Sequence, residues 1–202
     1  MTIERRILPY PRANRPDHVL GSGFGKSLVI RFFKNPDTGE VEEFILFGQK
    51  NWSVVLPITE DGKVLVVRQF KQGCESIVDE LPAGTADWKD EPPEDLMCRE
   101  LLQETGHHPG LVIPLHPQWM STRNSWTRFF PFLALDCKKV GEALWDTKEQ
   151  IEPRAIPLAE WLGLVFSGKI EEPSAIVATM LAIPHLFKSG ILTPEQFARA
   201  SA

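Results

Sequence analysis

The chain has 202 residues, 43% of them hydrophobic, which suits one domain with a real core, or one domain with a small extension. Its 22 Lys and Arg against 27 Asp and Glu leave a net charge of -5. That balance argues against a broad nucleic-acid footprint and leaves room for a small phosphorylated ligand held by a few arginines and a metal.

Residues 1 to 25 are rich in Pro, Arg and Gly and read as irregular. KSLVIRFF (26–33) and VEEFILFG (41–48) read as strands joined by the turn cluster KNPDTGE. WSVVLPIT (52–59), EDG and KVLVVRQF (63–70) form the clearest hairpin signal in the chain. ESIVDEL (75–81) predicts a further strand ended by PAG, and a helix follows over 93–105. RFFPFLALDC (128–137) and IEPRAIPL (151–158) predict strands, the second leading into the helix LAEWLGLVFSG closed by Gly168. Two more helices are expected in PSAIVATMLAIPHLF and TPEQFARA, the latter with Thr193 as N-cap and Pro194 at its first position. The division expected is residues 1–50 as an arm with a small β-sheet, and 51–202 as the main domain.

Cys74, Cys98 and Cys137 are odd in number and far apart, so they read as reduced thiols and not as a disulfide frame. The N-terminus lacks the apolar core of a signal peptide, and SAIVATMLAIPHLF, the longest apolar stretch, is too short to cross a bilayer. A soluble, cytoplasmic protein with no membrane partner is expected.

The stretch DLMCRELLQETGHHPG carries the chemistry. At about 100° per residue, Arg99, Glu100, Gln103 and Glu104 share one face of a helix, and Met97, Cys98, Leu101 and Leu102 share another. Leu96 falls on the acidic side. Pro92 and Pro93 fix the start, Glu94 and Asp95 suit the positive end of the dipole, and Gly106 suits a left-handed stop. Glu100 and Glu104, four residues apart, repel each other in an isolated helix, and a divalent cation would reverse that. The bland alternative is a solvated acidic face with Arg99 as a surface charge.

Upstream stand ELPAG (80–84) and the loop TADWKDEPP. Gly84, six residues, Glu91, seven residues and then Arg99-Glu100-Leu101-Leu102-Gln103-Glu104-Thr105-Gly106 resemble the Nudix box. That box runs Gly, five residues, Glu, seven residues, Arg-Glu-apolar-any-Glu-Glu-any-Gly-apolar. The first spacer is one residue longer here, Gln103 replaces the first of the paired glutamates, and His107 replaces the final apolar residue. VVLPITEDGKVLVVRQFK before ELPAG, and EQIEPRAIPLAEWLGLVFSGKI after it, resemble the branch of ADP-ribose and nucleoside-diphosphate-sugar pyrophosphatases. That branch usually has a Ser-Pro-Gly-any-any-any-Glu loop. STRNSWT (121–127) stands in its place, with Thr127 where the acid would be.

The resemblance implies an α/β (α+β) protein, a Nudix-type α/β/α sandwich around a mixed sheet, with an added N-terminal sheet. It implies hydrolysis of ADP-ribose or a nucleotide sugar to a nucleoside monophosphate and a sugar phosphate. It also implies Mg2+ or Mn2+ held by Glu100, Glu104, the Ala83 carbonyl and Gln103. Arg99 would orient the glutamates, Glu91 would hold the loop or edge the metal cluster, and Gly84 and Gly106 would be structural parts of the box. A later loop acid serves as base in this branch, and Glu149 is the candidate here, with Glu152 second. Arg68 is a candidate diphosphate ligand because guanidinium pairs with phosphate oxygens, and Arg123 and Trp126 are further substrate contacts. Relatives in the branch are commonly homodimers whose N-terminal strands reach the partner's site. The alternative is a Nudix-fold nucleotide-binding module that turns its ligand over poorly because of Gln103 and the altered 121–127 loop.

Overall fold

The computed structural model describes residues 7–88, 90–144 and 150–201. It divides into two compact units, Met1–Lys50 with Trp119–Thr127, and Asn51–Gln118 with Arg128–Ala202. The loop 119–127 belongs with the first unit, so the second is not the unbroken stretch 51–202 that the sequence suggests.

The first unit holds a three-stranded antiparallel sheet of β1 (His18–Gly23), β2 (Lys26–Lys34) and β3 (Val41–Gln49) in that order. The strand β1 lies in a segment expected to be irregular. Its composition is that of a loop, and only its pairing with β2 makes it a strand. Asp17 ties the N-terminal segment to the sheet by accepting from Arg31 and from Arg12, each at 2.8 Å. The Trp126 indole is sandwiched in this unit. The Arg31 guanidinium stands 4.9 Å from its centroid, and a Cβ on Gly48 would come within 2.2 Å of its ring.

The second unit is built on β4 (Trp52–Thr59) and β5 (Lys63–Lys71), the predicted hairpin. Gly62 turns it at φ 76°, and Thr59 Oγ1 accepts the Lys63 N–H. The later strands are β6 (Ser76–Glu80), β7 (Ala83–Thr85), β8 (His107–His108), β9 (Leu111–Pro114), β10 (Gln118–Trp119), β11 (Arg128–Lys139) and β12 (Ile151–Pro157). The helices are α1 (Pro93–Thr105), α2 (Leu158–Phe166), α3 (Pro173–Lys188) and α4 (Pro194–Ala200). Strand β11 runs parallel to β4, and β12 runs antiparallel along β5. Strands β6 and β7 pair with the ends of β5 and β4, and β9 lines the other side of β11.

Alternation along the strands sorts the core into two layers, because successive side chains point to opposite faces. Val54, Leu56, Val64, Val66 and Leu133 pack with Trp161 and Leu162 of α2 and with Ala175, Ala178 and Ala182 of α3. Val55, Leu65, Phe132 and Ala134 pack on the other face with Met97 and Leu101 of α1. The sheet therefore lies between α1 and the α2–α3 pair, the layering expected from the sequence. Helix α4 begins with a full capping box between Thr193 and Gln196.

The α2–α3 layer is pinned by a buried polar contact. Trp161 Nε1–H donates to Thr179 Oγ1 at 2.9 Å, and that hydroxyl donates to the Ala175 carbonyl at 2.8 Å. Thr179→Val keeps the shape and leaves the indole N–H without its acceptor. It is expected to cost about 1–3 kcal/mol of unfolding free energy in urea melts, and a midpoint equal to that of the parent would refute the role given to this bond.

Candidate active site

Helix α1 starts where its prolines put it, with Pro92 as N-cap and Pro93 in the first turn. It ends at Gly106, which adopts φ 73° and donates to the Leu102 carbonyl. A Cβ there would come within 2.3 Å of the Gly141 carbonyl oxygen, so conformation and space both require glycine. The helix packs on β4 and β7, and Ser53 of β4 donates to the Pro93 carbonyl. This packing covers the face that carries the acids. Leu96, on the acidic side of the wheel, is buried, and Glu104 is only 7% exposed. A solvated acidic face is therefore not what the helix presents.

Arg99 sits at the centre of this face. Its Nε and Nη2 bond the two carboxylate oxygens of Glu91 at 3.1 and 3.2 Å. Nη1 donates to Glu100 Oε1 at 2.8 Å and to Gln103 Oε1 at 3.1 Å, and Nη2 also reaches the Thr85 carbonyl at 3.3 Å. The Glu91 side chain is fully buried and also accepts the Asp87 N–H at 2.8 Å. Glu91 thus holds the loop and the arginine. Next to it in this loop, Asp90 adopts a left-handed φ of 63°.

Glu100 and Glu104 point toward the backbone of β7. Glu104 Oε2 accepts the Ala83 N–H at 3.1 Å. Gly84 lies directly under the other carboxylate, since a Cβ there would sit 2.1 Å from Cδ and Oε1 of Glu100. Burial, and secondly the Glu100 charge, push the Glu104 carboxyl well above its ordinary value of 4.5. A buried carboxylate beside a second one is a donor set that a hard divalent cation fits, because the cation removes the repulsion and accepts oxygen ligands. Among the described residues no group of three or more His, Cys, Asp or Glu side chains is arranged to hold an ion unaided. The residues present therefore fit a cation that draws the rest of its shell from backbone, water or a bound phosphate.

The alternation of β5 separates the predicted cations. Arg68 shares a face with Val64 and Val66, the α2–α3 side. There it forms a paired salt bridge with Asp79 at 2.8 Å, Arg154 bonds the same carboxylate, and Glu152 stands opposite Arg68 on β12. Leu65, Gln69 and Lys71 share the other face, on which α1 packs. Arg68 is thus on the wrong side of the strand for the carboxylate pair, a parity that a single sequence does not reveal. The cation on the α1 side is Lys71, bound to the buried Glu80 at 2.5 Å. Its charge, like that of Glu80, is felt at Glu104. Neither Lys71 nor Glu80 was singled out from the sequence, although counting in twos from Leu65 would have put Lys71 on this side.

Glu149 lies outside the described residues. Glu152 and Arg68 line a cavity of about 420 Å³ with Phe70, Ile77 and Gln150. Arg123 and Trp126 belong to the first unit, where they line a cavity of about 470 Å³ with Tyr10, Arg31 and Phe33. Thr127, in the position of the missing loop acid, is fully buried and exchanges two hydrogen bonds with the Gln49 backbone, at 2.8 and 3.2 Å. That position has become structural.

The chain is similar to known proteins in both sequence and fold. A family model described as the NUDIX domain matches residues 49–171. An ADP-ribose pyrophosphatase of Bacillus subtilis is 30% identical over 125 residues, covering 61% of this chain and 67% of the relative. A GDP-mannose pyrophosphatase of Yersinia pestis is 26% identical over 153 residues, covering 71% and 75%. A crystal structure of an ADP compounds hydrolase superposes with a TM-score of 0.78 at 18% identity, over 93% of this chain and all of that one, which shows the shared fold.

The buried carboxyl has a consequence for stability. Glu104 holds its proton more tightly when folded than when unfolded, so the folded protein binds more protons between pH 4.5 and the raised value. Stability without metal must then fall as pH rises through that window, by at most about 1.4 kcal/mol per pH unit from this group. Glu80, also raised by burial, acts in the same direction. Melting followed by circular dichroism in EDTA should show a Tm that declines with pH in the parent and declines less in Glu104→Gln. Parallel Tm–pH curves for the two would overturn this account.

Proposed function

Because this chain belongs to the NUDIX family, we propose that it is a metal-dependent hydrolase of the diphosphate bond in a nucleoside diphosphate linked to a sugar. The products are a nucleoside monophosphate and a sugar phosphate. The observation that carries this reading is the pair Glu100 and Glu104, aimed at the β7 backbone, with Glu100 held by Arg99 and the buried Glu104 by the Ala83 N–H. The names of the two relatives, one acting on ADP-ribose and the other on GDP-mannose, support the substrate class.

Nudix hydrolases generally use divalent metal ions, and the ion proposed here is Mg2+ or Mn2+. Glu100 and Glu104 would hold it, with Ala83 beside them. When bound, it supplies Lewis acidity, offsetting negative charge on the diphosphate oxygens. Arg99 fixes the Glu100 carboxylate from behind, and Glu91 fixes Arg99, so the pair meets its ligand with little reorganisation. Gly84 leaves the room that Glu100 occupies. Glu149 is proposed as the base that takes the proton of the attacking water, with Glu152 as its alternate. The strand parity of β5 favours Lys71 over Arg68 as the diphosphate ligand on the α1 side. Arg123 and Trp126 are proposed as further substrate contacts.

A homodimer accords with the apolar residues that the small sheet exposes, among them Val19, Leu20, Leu28 and Ile45. The free thiols of Cys74, Cys98 and Cys137 accord with a reducing, cytoplasmic setting. Among the described residues no helix is long and apolar enough to cross a membrane.

Two experiments test this reading. The first incubates the protein with ADP-ribose, with ADP-, GDP- and UDP-sugars and with dinucleoside polyphosphates, in Mg2+ or Mn2+. Monophosphate release is expected from one of the sugar-linked compounds and should fall by at least ~100-fold in Glu104→Gln. Tight binding without release would instead make the protein a nucleotide-binding module. The second concerns Gln103, whose oxygen accepts from Arg99 but brings no charge. Restoring the acid in Gln103→Glu should lower the half-saturating Mg2+ concentration several-fold, roughly 1 kcal/mol of added attraction. A superimposable titration would show that the missing charge is immaterial.

A further inference from the structure

We propose that Glu80 is a positioning residue for the diphosphate site and acts through Lys71. The proposal rests on the reading above, in which a diphosphate binds on the α1 side of the sheet. Glu80 ends β6 opposite Val67, and Lys71 ends β5 opposite Ser76, four residues further along. An extended Lys71 would project past the end of the sheet. Its side chain instead turns back along its own strand to bond Glu80 Oε1 at 2.5 Å. Gln69, midway between, donates its side-chain amide to that same oxygen.

The three side chains lie on the face that carries Leu65 and packs against α1, because residues 65, 67, 69 and 71 alternate to one side. Glu80 has 8% of its side chain exposed against 39% for Lys71, so the anchor is buried and the ammonium stands at the rim. Ordering a lysine side chain costs rotamer freedom, which a charge-assisted bond to a buried carboxylate offsets. An ammonium carries three donors, so the bond to Glu80 leaves it able to meet phosphate oxygens. Glu80 thus holds the Lys71 ammonium on the face of the sheet that packs against α1, the helix that carries Glu100 and Glu104.

The test is a double-mutant cycle read by calorimetry with methylenediphosphonate, a diphosphate whose bridge cannot be hydrolysed, in Mg2+. Lys71→Ala should weaken binding by about tenfold, the loss of one charge-assisted contact. Glu80→Gln, whose amide oxygen still accepts from Gln69, should weaken it by a similar factor, and the double variant should bind no worse than Lys71→Ala alone. On whichever substrate is turned over, the loss in Glu80→Gln should fall mainly on KM. Losses that multiply in the double variant, or unchanged binding in Glu80→Gln, would overturn the proposal. If methylenediphosphonate binds as expected and no sugar-linked substrate is cleaved, the hydrolase reading fails while this coupling stands. A Glu80→Gln variant with lowered Tm and unaltered affinity would assign Glu80 to folding alone.

Discussion

The site depends on one buried contact, the paired bond between the Arg99 guanidinium and the Glu91 carboxylate. Glu91 comes from the loop and Arg99 from the helix, so the contact locks the connection between β7 and α1. The free edge of the arginine then fixes Glu100 and Gln103. A buried ion pair of this kind is poor evidence of net stability, since desolvation consumes much of the attraction, yet removing one partner strands the other at a cost of about 3–5 kcal/mol. Its value lies in specifying geometry: two repelling glutamates stay close to the β7 backbone because the arginine and the Ala83 N–H hold them there.

Two of the departures from the family box lie against these parts. The loop with the longer spacer turns left-handed at Asp90, just before Glu91. Gln103 keeps the oxygen that Arg99 requires and gives up only the charge. Thr127 shows the opposite outcome, since its side chain is used up in holding the Gln49 backbone and the position has left the chemistry.

Much of this was legible in the chain. The β4–β5 hairpin, α1 with its proline start and glycine stop, and the i, i+4 acids are local patterns, and each element appears within a residue or two of its expected place. What escaped was non-local. Strand β1 and the three-residue β7 have no pattern of their own and exist because a neighbouring strand supplies their hydrogen bonds. The membership of loop 119–127 in the first unit depends on contacts between residues far apart in the chain, such as Thr127 with Gln49, and the bond from Lys71 to Glu80, though it lies within one hairpin, depends on the register of β5 on β6. Arg68 is the arginine of the hairpin, but its side is settled only by the partners of Val64, Leu65 and Val66.

The two-sided character of β5 also limits how the hairpin could change length. One residue inserted within the strand after Leu65 would exchange its faces, turning Arg68 toward α1 and Lys71 toward Asp79 while breaking the ladder with β12. Variation is therefore channelled to the turn at Glu60–Gly62, which lies at the opposite end of the strand and can grow without altering which way any downstream side chain looks.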